Sequence, residues 1–168
     1  MFQCLPSSKD ETRLLDAAFS CAVGLRLGAE MATWSICVCG ERLDPIGDHA
    51  LSCGRGTGRQ ARHKEINAHI RRALAAAGVS ATLEPVGLDL RSGKRPDRAT
   101  TLPFSRGRAM GWDVTVSHTC ALTYVPSCVQ TVGAEASLAE ASENIKYAEL
   151  KDRIEFRAVG LETLGAFG

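Results

Sequence analysis

Two aspartates and one lysine occur in an order that suits metal-assisted chemistry on a phosphate ester. Asp97 directly follows Pro96, Asp113 lies inside the apolar run 112–116, and Lys146 comes later in the chain. A pair of carboxylates holds a hard divalent cation through oxygen ligands. Such a cation activates water and stabilises the leaving oxygen of a phosphodiester. The order therefore predicts catalytic roles for Asp97, Asp113 and Lys146, with metal on the two acids and the lysine beside developing charge.

Each of these residues also has an ordinary structural explanation. An aspartate after a proline is most often a turn residue, which would account for Asp97. Lys146 alone fits equally well as a solvated helix lysine paired with Glu143 or Glu149. Only the whole set, in this order, favours a catalytic site.

A second group of metal-binding residue types lies earlier in the chain and comprises Cys37, Cys39, His49 and Cys53. Three thiolates and one imidazole are a known structural zinc set. The intervening segment 44–48 has the composition of a turn that brings the two halves together. The group predicts structural Zn²⁺, with His63 as an alternative to His49 and Cys21 as an alternative to any one cysteine. The competing interpretation is a few buried or free thiols.

The strand predicted over 110–117 positions the second aspartate. Side chains alternate between the faces of a strand, so Trp112, Val114 and Val116 share one face and Asp113 lies on the other. The apolar face can pack into a core while the carboxylate faces a cleft.

The lysine lies on a helix predicted over 134–152. An apolar stripe at helical spacing consists of Leu138, Ala141, Ile145 and Ala148. Lys146 falls on an adjacent stripe, so a helix packed over the sheet could bring its ammonium to the aspartates.

The predicted elements run in the order helix 8–27, helix 60–77, extended segments 82–90, 94–101 and 110–117, helix 134–152 and extended segment 154–159. Ser92-Gly93 is a hairpin-type turn between the first two extended segments. From residue 60 onward this order is helix, three strands, helix, strand. It predicts an α/β fold with a mixed sheet flanked by helices, preceded by an N-terminal helix and the Cys-His group.

Length and composition are those of an ordinary globular chain. Its 168 residues can bury a core without disulfides. No secretory signal and no apolar stretch of membrane-spanning length is apparent, so no membrane partner is expected. Seven cysteines are an odd number. We therefore expect reduced thiols and an intracellular location.

The net charge of +1 conceals a basic middle section. Residues 54–108 contain twelve Lys or Arg and four acids, whereas the flanking segments are acidic. Clustered cations hold a phosphate backbone, which predicts DNA as a partner. The alternative is a solvated charged helix face with basic loops. The candidate nucleic-acid-binding residues are Arg55, Arg59, Arg62, His63, Arg71, Arg72 and Arg95.

The chain resembles the restriction-enzyme-like, PD-(D/E)XK endonuclease domain of site-specific non-LTR retrotransposon proteins, with its preceding CCHC zinc knuckle. The matching motifs run in family order from residue 37 to the end: Cys37-Val38-Cys39, His49, Cys53, Arg62-His63, Arg95-Pro96-Asp97, Trp112-Asp113-Val114 and Glu143-Asn144-Ile145-Lys146-Tyr147. The resemblance implies a restriction-endonuclease-like core, dependence on Mg²⁺, cleavage of target DNA and a nuclear location. It divides the chain into a helical segment 1–36, a knuckle 37–59 and a nuclease-like core 60–168.

Two positions depart from that family pattern. Glu143 replaces the first lysine of a Lys-x-x-Lys-Tyr motif, and Thr115 stands where many such nucleases carry a lysine two residues after the second acid. The sequence also has no reverse-transcriptase signature. The chain is therefore either a detached endonuclease domain or part of a longer polyprotein with a reverse transcriptase domain.

Three functions compete on the sequence alone. A metal-dependent DNA endonuclease is favoured because both aspartates are present. Glu143 and Thr115 favour the alternative, a catalytically decayed zinc-knuckle module that binds nucleic acid. A thiol enzyme, suggested by Cys120 and Cys128 near His118, is the weakest interpretation because no partner pattern activates those thiols.

Overall fold

The computed structural model describes residues 13–83, 85 and 94–168, and it divides the chain into two units, Met1–Arg55 and Gly56–Gly168. The finer division expected from the sequence, with boundaries after residues 36 and 59, stays a prediction. The Ser92-Gly93 turn and the start of the predicted helix 8–27 lie outside the described residues.

In the first unit, the described residues from 13 onward form two helices and a short hairpin. Its elements are α1 Asp16–Leu27, β1 Ser35–Ile36, β2 Arg42–Leu43 and α2 Asp48–Ser52. Helix α1 ends at Gly28, whose φ of 63° is a left-handed conformation that glycine adopts without strain. The strands β1 and β2 pair antiparallel. Neither this hairpin nor α2 was predicted, because both are too short for periodicity to show.

The second unit is a mixed α/β fold. Its elements are α3 Thr57–Ala76, β3 Ala81–Leu83, β4 Arg98–Thr100, β5 Met110–Ser117, α4 Val125–Gln130, α5 Ala134–Lys146, a 3₁₀ turn Ala148–Leu150 and β6 Glu155–Glu162. The sheet has the order β3-β4-β5-β6, in which the first two pairings are antiparallel and β5–β6 is parallel. The predicted mixed sheet with helices is therefore confirmed. The short helix α4 was not predicted.

Both faces of the central strand β5 are covered by helices. The indole of Trp112 donates a hydrogen bond to Asn67 on α3, whereas the neighbouring Asp113 contacts Lys146 on α5. Because adjacent strand residues point to opposite faces, α3 and α5 lie on opposite sides of the sheet. This explains why Trp112, Asp113 and Val114 are all buried.

A glycine lets the site-forming segment pack closely. A Cβ on Gly111 would lie 2.7 Å from a methyl group of Ile154 and 3.4 Å from the ring of Pro96. Pro96 is fully buried. The missing side chain at Gly111 therefore lets Pro96 approach β5 and fixes the start of the Pro-Asp step.

The packing face of α5 differs from the one that the apolar stripe indicated. Leu138 and Ile145 are 60% and 78% exposed. The helix instead packs through Ala136, which is fully buried beside Gly160, and Glu140 accepts a 2.8 Å hydrogen bond from the Gly160 amide. The helix also ends at Lys146 rather than at residue 152. The core beyond that point is filled by Tyr147, Leu150, Ile154 and Phe156.

Candidate metal and phosphodiester site

The side chain of Asp97 forms a hydrogen bond with strand β5 where the pairing of β4 with β5 begins. Its Oδ2 accepts a hydrogen bond from the backbone amide of Val114 at 2.9 Å and one from the Asn67 side chain at 3.0 Å. The regular pairing of β4 and β5 begins one residue later, at Arg98 opposite Trp112. The carboxylate thus takes the place of a backbone acceptor, and this orients it rigidly. It is not a free turn aspartate.

Asp113 is a buried carboxylate near Asp97. Its pKa is raised from 3.8 to about 6, mainly by burial and in addition by the charge of Asp97, whereas the hydrogen bond from Tyr147 and the charge of Lys146 act in the opposite direction. A buried carboxylate whose pKa is raised beside a second carboxylate favours a bound cation, because the cation takes the place of the proton.

His63 completes a group of three possible metal ligands. One donor atom each from His63, Asp97 and Asp113 can be chosen so that all three lie within 4.8 Å of one another. The imidazole Nε2 lies 2.8 Å from Asp97 Oδ2. The three residues come from α3, the segment before β4, and β5. The sequence assigned His63 to DNA binding or to zinc, and the structure places it beside the two aspartates.

Lys146 lies between two carboxylates. Its Nζ is 3.3 Å from Asp113 Oδ2 and 2.7 Å from Glu143 Oε2. Burial alone would lower the pKa of Lys146, but the contacts with Glu143 and Asp113 outweigh it and raise the pKa. The ammonium also lies 4.6 Å from the centre of the Tyr147 ring. A lysine with a raised pKa stays protonated, so it can stabilise negative charge but cannot accept a proton.

Two residues support the site, and only one of them, Asn67, was not identified from the sequence. Asn67 is 3% exposed and bridges the Trp112 indole and the Asp97 carboxylate. The Tyr147 hydroxyl donates a 2.7 Å hydrogen bond to the carbonyl oxygen of Arg95, just before the Pro-Asp step. A sequence signal for Asn67 did exist, since it lies one helical turn after His63 on the same face of the helix.

The four residues of the Cys-His group also converge. One donor atom each from Cys37, Cys39, His49 and Cys53 lies within 4.8 Å of the others. The sulfurs of Cys37 and Cys53 are 3.7 Å apart, and Cys39 Sγ is 3.2 Å from His49 Nε2. Two thiolates bound to a tetrahedral Zn²⁺ at ~2.3 Å would lie about 3.8 Å apart, so the donor set and its spacing fit zinc.

Local structure explains this convergence. The tight β1–β2 turn, with Gly40 at φ 93°, carries Cys37 and Cys39. The Asp44 carboxylate accepts hydrogen bonds from the amides of Asp48 and His49, which holds the first turn of α2. Although burial opposes it, these amide donors lower the pKa of Asp44. His63 and Cys21, the alternative ligands, are not members of this group.

Most of the candidate nucleic-acid-binding residues lie on one element. Arg59, Arg62, His63, Arg71 and Arg72 belong to α3, which at 20 residues is about 30 Å long. Arg95 is exposed and directly precedes Pro96. Arg55 is also exposed and closes the first unit. The helix that supplies His63 to the acidic site thus also carries most of these cations.

Cys128, one of the two thiols near His118, lacks the features of a nucleophile. Cys128 lies 3.5 Å from a carboxylate oxygen of Glu162, and burial followed by that negative charge raises its pKa. His118 Nδ1 contacts the Thr163 hydroxyl. A raised pKa disfavours the thiolate, which is the reactive form.

No helix within the described ranges is both long and apolar enough to span a membrane. In comparisons with known proteins, no family model and no curated protein matches the chain.

Proposed function

We propose that the protein is a metal-dependent DNA endonuclease of the PD-(D/E)XK type, of the kind carried by site-specific non-LTR retrotransposons. The observation that carries the proposal is the convergence of Asp97 and Asp113, from separate segments, with the Lys146 ammonium 3.3 Å from Asp113. This is the arrangement that a metal-assisted attack on a phosphodiester needs.

The acidic pair would hold Mg²⁺ through oxygen ligands, as its donor chemistry fits. Bound there, the ion would activate water and stabilise the leaving oxygen. Asp97 is fixed by Asn67 and the Val114 amide, so the pair is already oriented. Lys146 would stabilise charge on the phosphate as a permanent cation.

DNA is the proposed substrate because the elements that supply His63 and Asp97 also carry arginines. Helix α3 carries arginines on both sides of His63, and Arg95 is adjacent to the Pro-Asp step. Arginines bind phosphate oxygens without reading sequence, so they would hold the backbone against the metal site. A nuclear location and a reverse transcriptase domain in a longer polyprotein belong to the same proposal.

The Cys-His group is proposed to be a structural zinc knuckle. Its three sulfurs and one nitrogen fill all four positions of a tetrahedral ion, which leaves no open position for substrate. Its role would be to fold residues 37–53.

One observation favours a second candidate, a nucleic-acid-binding module whose catalytic centre has decayed. Glu143 pairs with Lys146 at 2.7 Å, closer than the 3.3 Å contact between Lys146 and Asp113. A carboxylate so close to the lysine competes with phosphate for its charge.

A metal titration separates the two candidates. The full chain, supplied with Zn²⁺, should relax supercoiled plasmid when Mg²⁺ is added and should stop when a chelator removes it. The protein should also bind Mg²⁺ in the absence of DNA. Binding of DNA and of Zn²⁺, without Mg²⁺ binding or cleavage, would favour the decayed module.

A further inference from the structure

The contact between His63 and Asp97 has two chemical explanations. The Nε2 and Oδ2 atoms lie 2.8 Å apart. Two lone-pair acceptors at that distance repel each other unless a proton or a cation lies between them; the Asn67 amide nitrogen contacts both, but at 3.4 Å from Nε2 it is too distant for a strong hydrogen bond there. If Nε2 carries the proton, His63 is a hydrogen-bond donor that orients Asp97. If Nε2 is unprotonated, a metal ion can bind to both atoms.

The spacing fits neighbouring ligands of one ion. Two ligands at about 2.1–2.2 Å on adjacent corners of an octahedron lie about 3 Å apart. Asp113 offers a third atom within 4.8 Å of the other two. Asp97 also does not depend on His63 for its orientation, because Asn67 and the Val114 amide already bind its Oδ2.

We propose that His63 is the third protein ligand of the catalytic cation and gives the site a preference for Mn²⁺ over Mg²⁺ and Ca²⁺. The inference rests on the proposed metal site and specifies which ion it takes. Mg²⁺ and Ca²⁺ strongly prefer oxygen ligands, whereas imidazole nitrogen suits first-row transition ions. A set of two carboxylates and one imidazole therefore accepts Mn²⁺ more readily than an all-oxygen set would.

The test measures metal binding directly, without relying on cleavage. The full chain is first supplied with one equivalent of Zn²⁺ so that the Cys-His group is occupied. Mn²⁺ and Mg²⁺ affinities are then measured by calorimetry for the wild type, His63→Gln and His63→Asp. His69→Ala is the matched control, because it removes an exposed imidazole from the same helix. Pulsed electron paramagnetic resonance of bound Mn²⁺ reports whether a nitrogen nucleus is coupled to the ion.

We expect wild type and His69→Ala to bind Mn²⁺ about tenfold more tightly than Mg²⁺ and to show nitrogen coupling. The preference for Mn²⁺ and the nitrogen coupling should both be lost in His63→Gln, which keeps a hydrogen-bond donor. His63→Asp should bind both ions through oxygen, so its preference for Mn²⁺ should fall.

A folded His63→Gln protein that keeps the preference and the nitrogen signal would overturn the assignment and leave His63 as a hydrogen-bond donor. Failure here is distinct from failure of the proposed function. Cleavage with Mg²⁺ and no nitrogen coupling in the wild type rejects only the ligand role. Nitrogen-coupled Mn²⁺ without cleavage of DNA in any metal rejects only the nuclease.

Discussion

At the scale of single residues, the site combines a carboxylic acid and an ammonium that both hold their protons more tightly than usual, Asp113 and Lys146. Asp113 has a raised pKa because it is buried near Asp97, and Lys146 has a raised pKa because it lies between Glu143 and Asp113. Before any cation is bound, the single ammonium of Lys146 faces three carboxylates, those of Asp97, Asp113 and Glu143, so the site favours a further cation. Substitutions here should change chemistry and pH dependence more than folding.

The metal-free protein should become more stable as the pH falls toward 4. The folded-state pKa of Asp113 is about 6, above its ordinary 3.8, so the folded state binds the extra proton between these values. Above pH 6 the buried charge costs on the order of 2–3 kcal/mol. Asp113→Asn should recover much of this at pH 7 and flatten the profile. The free energy of unfolding of both proteins is measured by urea titration in the presence of chelator from pH 4 to 8. If it changes equally with pH in the wild type and in Asp113→Asn, the buried charge of Asp113 is not the cause.

Lys146→Ala should slow cleavage roughly 10²–10³-fold with little change in DNA affinity, as for loss of one preorganised electrostatic donor. Single-turnover rates and binding titrations separate these effects. Lys151→Ala, an exposed lysine in the turn after α5, is the control and should cleave normally. A large loss of binding with an unchanged rate would make Lys146 a phosphate contact only.

Glu143→Lys should increase cleavage by the otherwise wild-type chain. The change removes the carboxylate that lies 2.7 Å from Lys146 and adds a second cation at that position. A faster rate would show that Glu143 attenuates the site. If neither form cleaves while both bind DNA, the binding-module interpretation is favoured.

At the scale of elements, local patterns and tertiary contacts differ in what the sequence can predict. The alternation in 110–117 was enough to predict the strand and the side on which Asp113 lies, because a strand has a fixed two-residue period. The apolar stripe on α5 predicted the wrong packing face. The helix packs through Ala136 against Gly160 of β6, because these small residues let helix and strand approach closely, and Leu138 and Ile145 stay exposed. Apolar periodicity cannot rank such faces.

The contacts of His63 and Asn67 with Asp97 could not be predicted from the sequence either. Asn67 and His63 meet Asp97 across 30 or more residues of chain, through a helix whose single buried residue is that asparagine. Propensity and spacing carry no information about such a contact. The Arg62-His63 step, one of the motifs on which the resemblance rests, indicated a role for the histidine but not a position beside the acids.

Zinc should stabilise the Cys-His element. Metal analysis should give about one Zn²⁺ per chain, and Cys53→Ser should lower both zinc content and Tm because binding energy is folding energy. Cys21→Ser, at an exposed thiol outside the group, should change neither. Zinc-free protein with an unchanged Tm would contradict the structural role.

At the scale of the whole molecule, charge is distributed so that most Lys and Arg residues lie in one segment and most acids lie outside it. Residues 54–108 hold twelve of the 20 Lys and Arg residues in a chain of net charge +1. Such a distribution attracts a polyanion even though the protein is almost neutral.

DNA affinity should therefore fall steeply with salt. Each phosphate contact contributes about −0.9 to the slope of log K against log salt, so substituting Arg71 and Arg72 with Gln should reduce the slope by up to about 2. Arg153 and Arg157, outside the basic segment, serve as the control pair. A salt-independent affinity would argue against DNA as the partner.

The proposed mechanism depends on Asp113, the buried carboxylate on β5 that would hold the metal for phosphodiester cleavage. Nicking of supercoiled plasmid in Mg²⁺ by the wild type and by Asp113→Ala tests this most directly. We expect the wild type to nick the plasmid, and the folded variant to bind it with similar affinity but leave it intact. Equal nicking by both proteins would contradict the account.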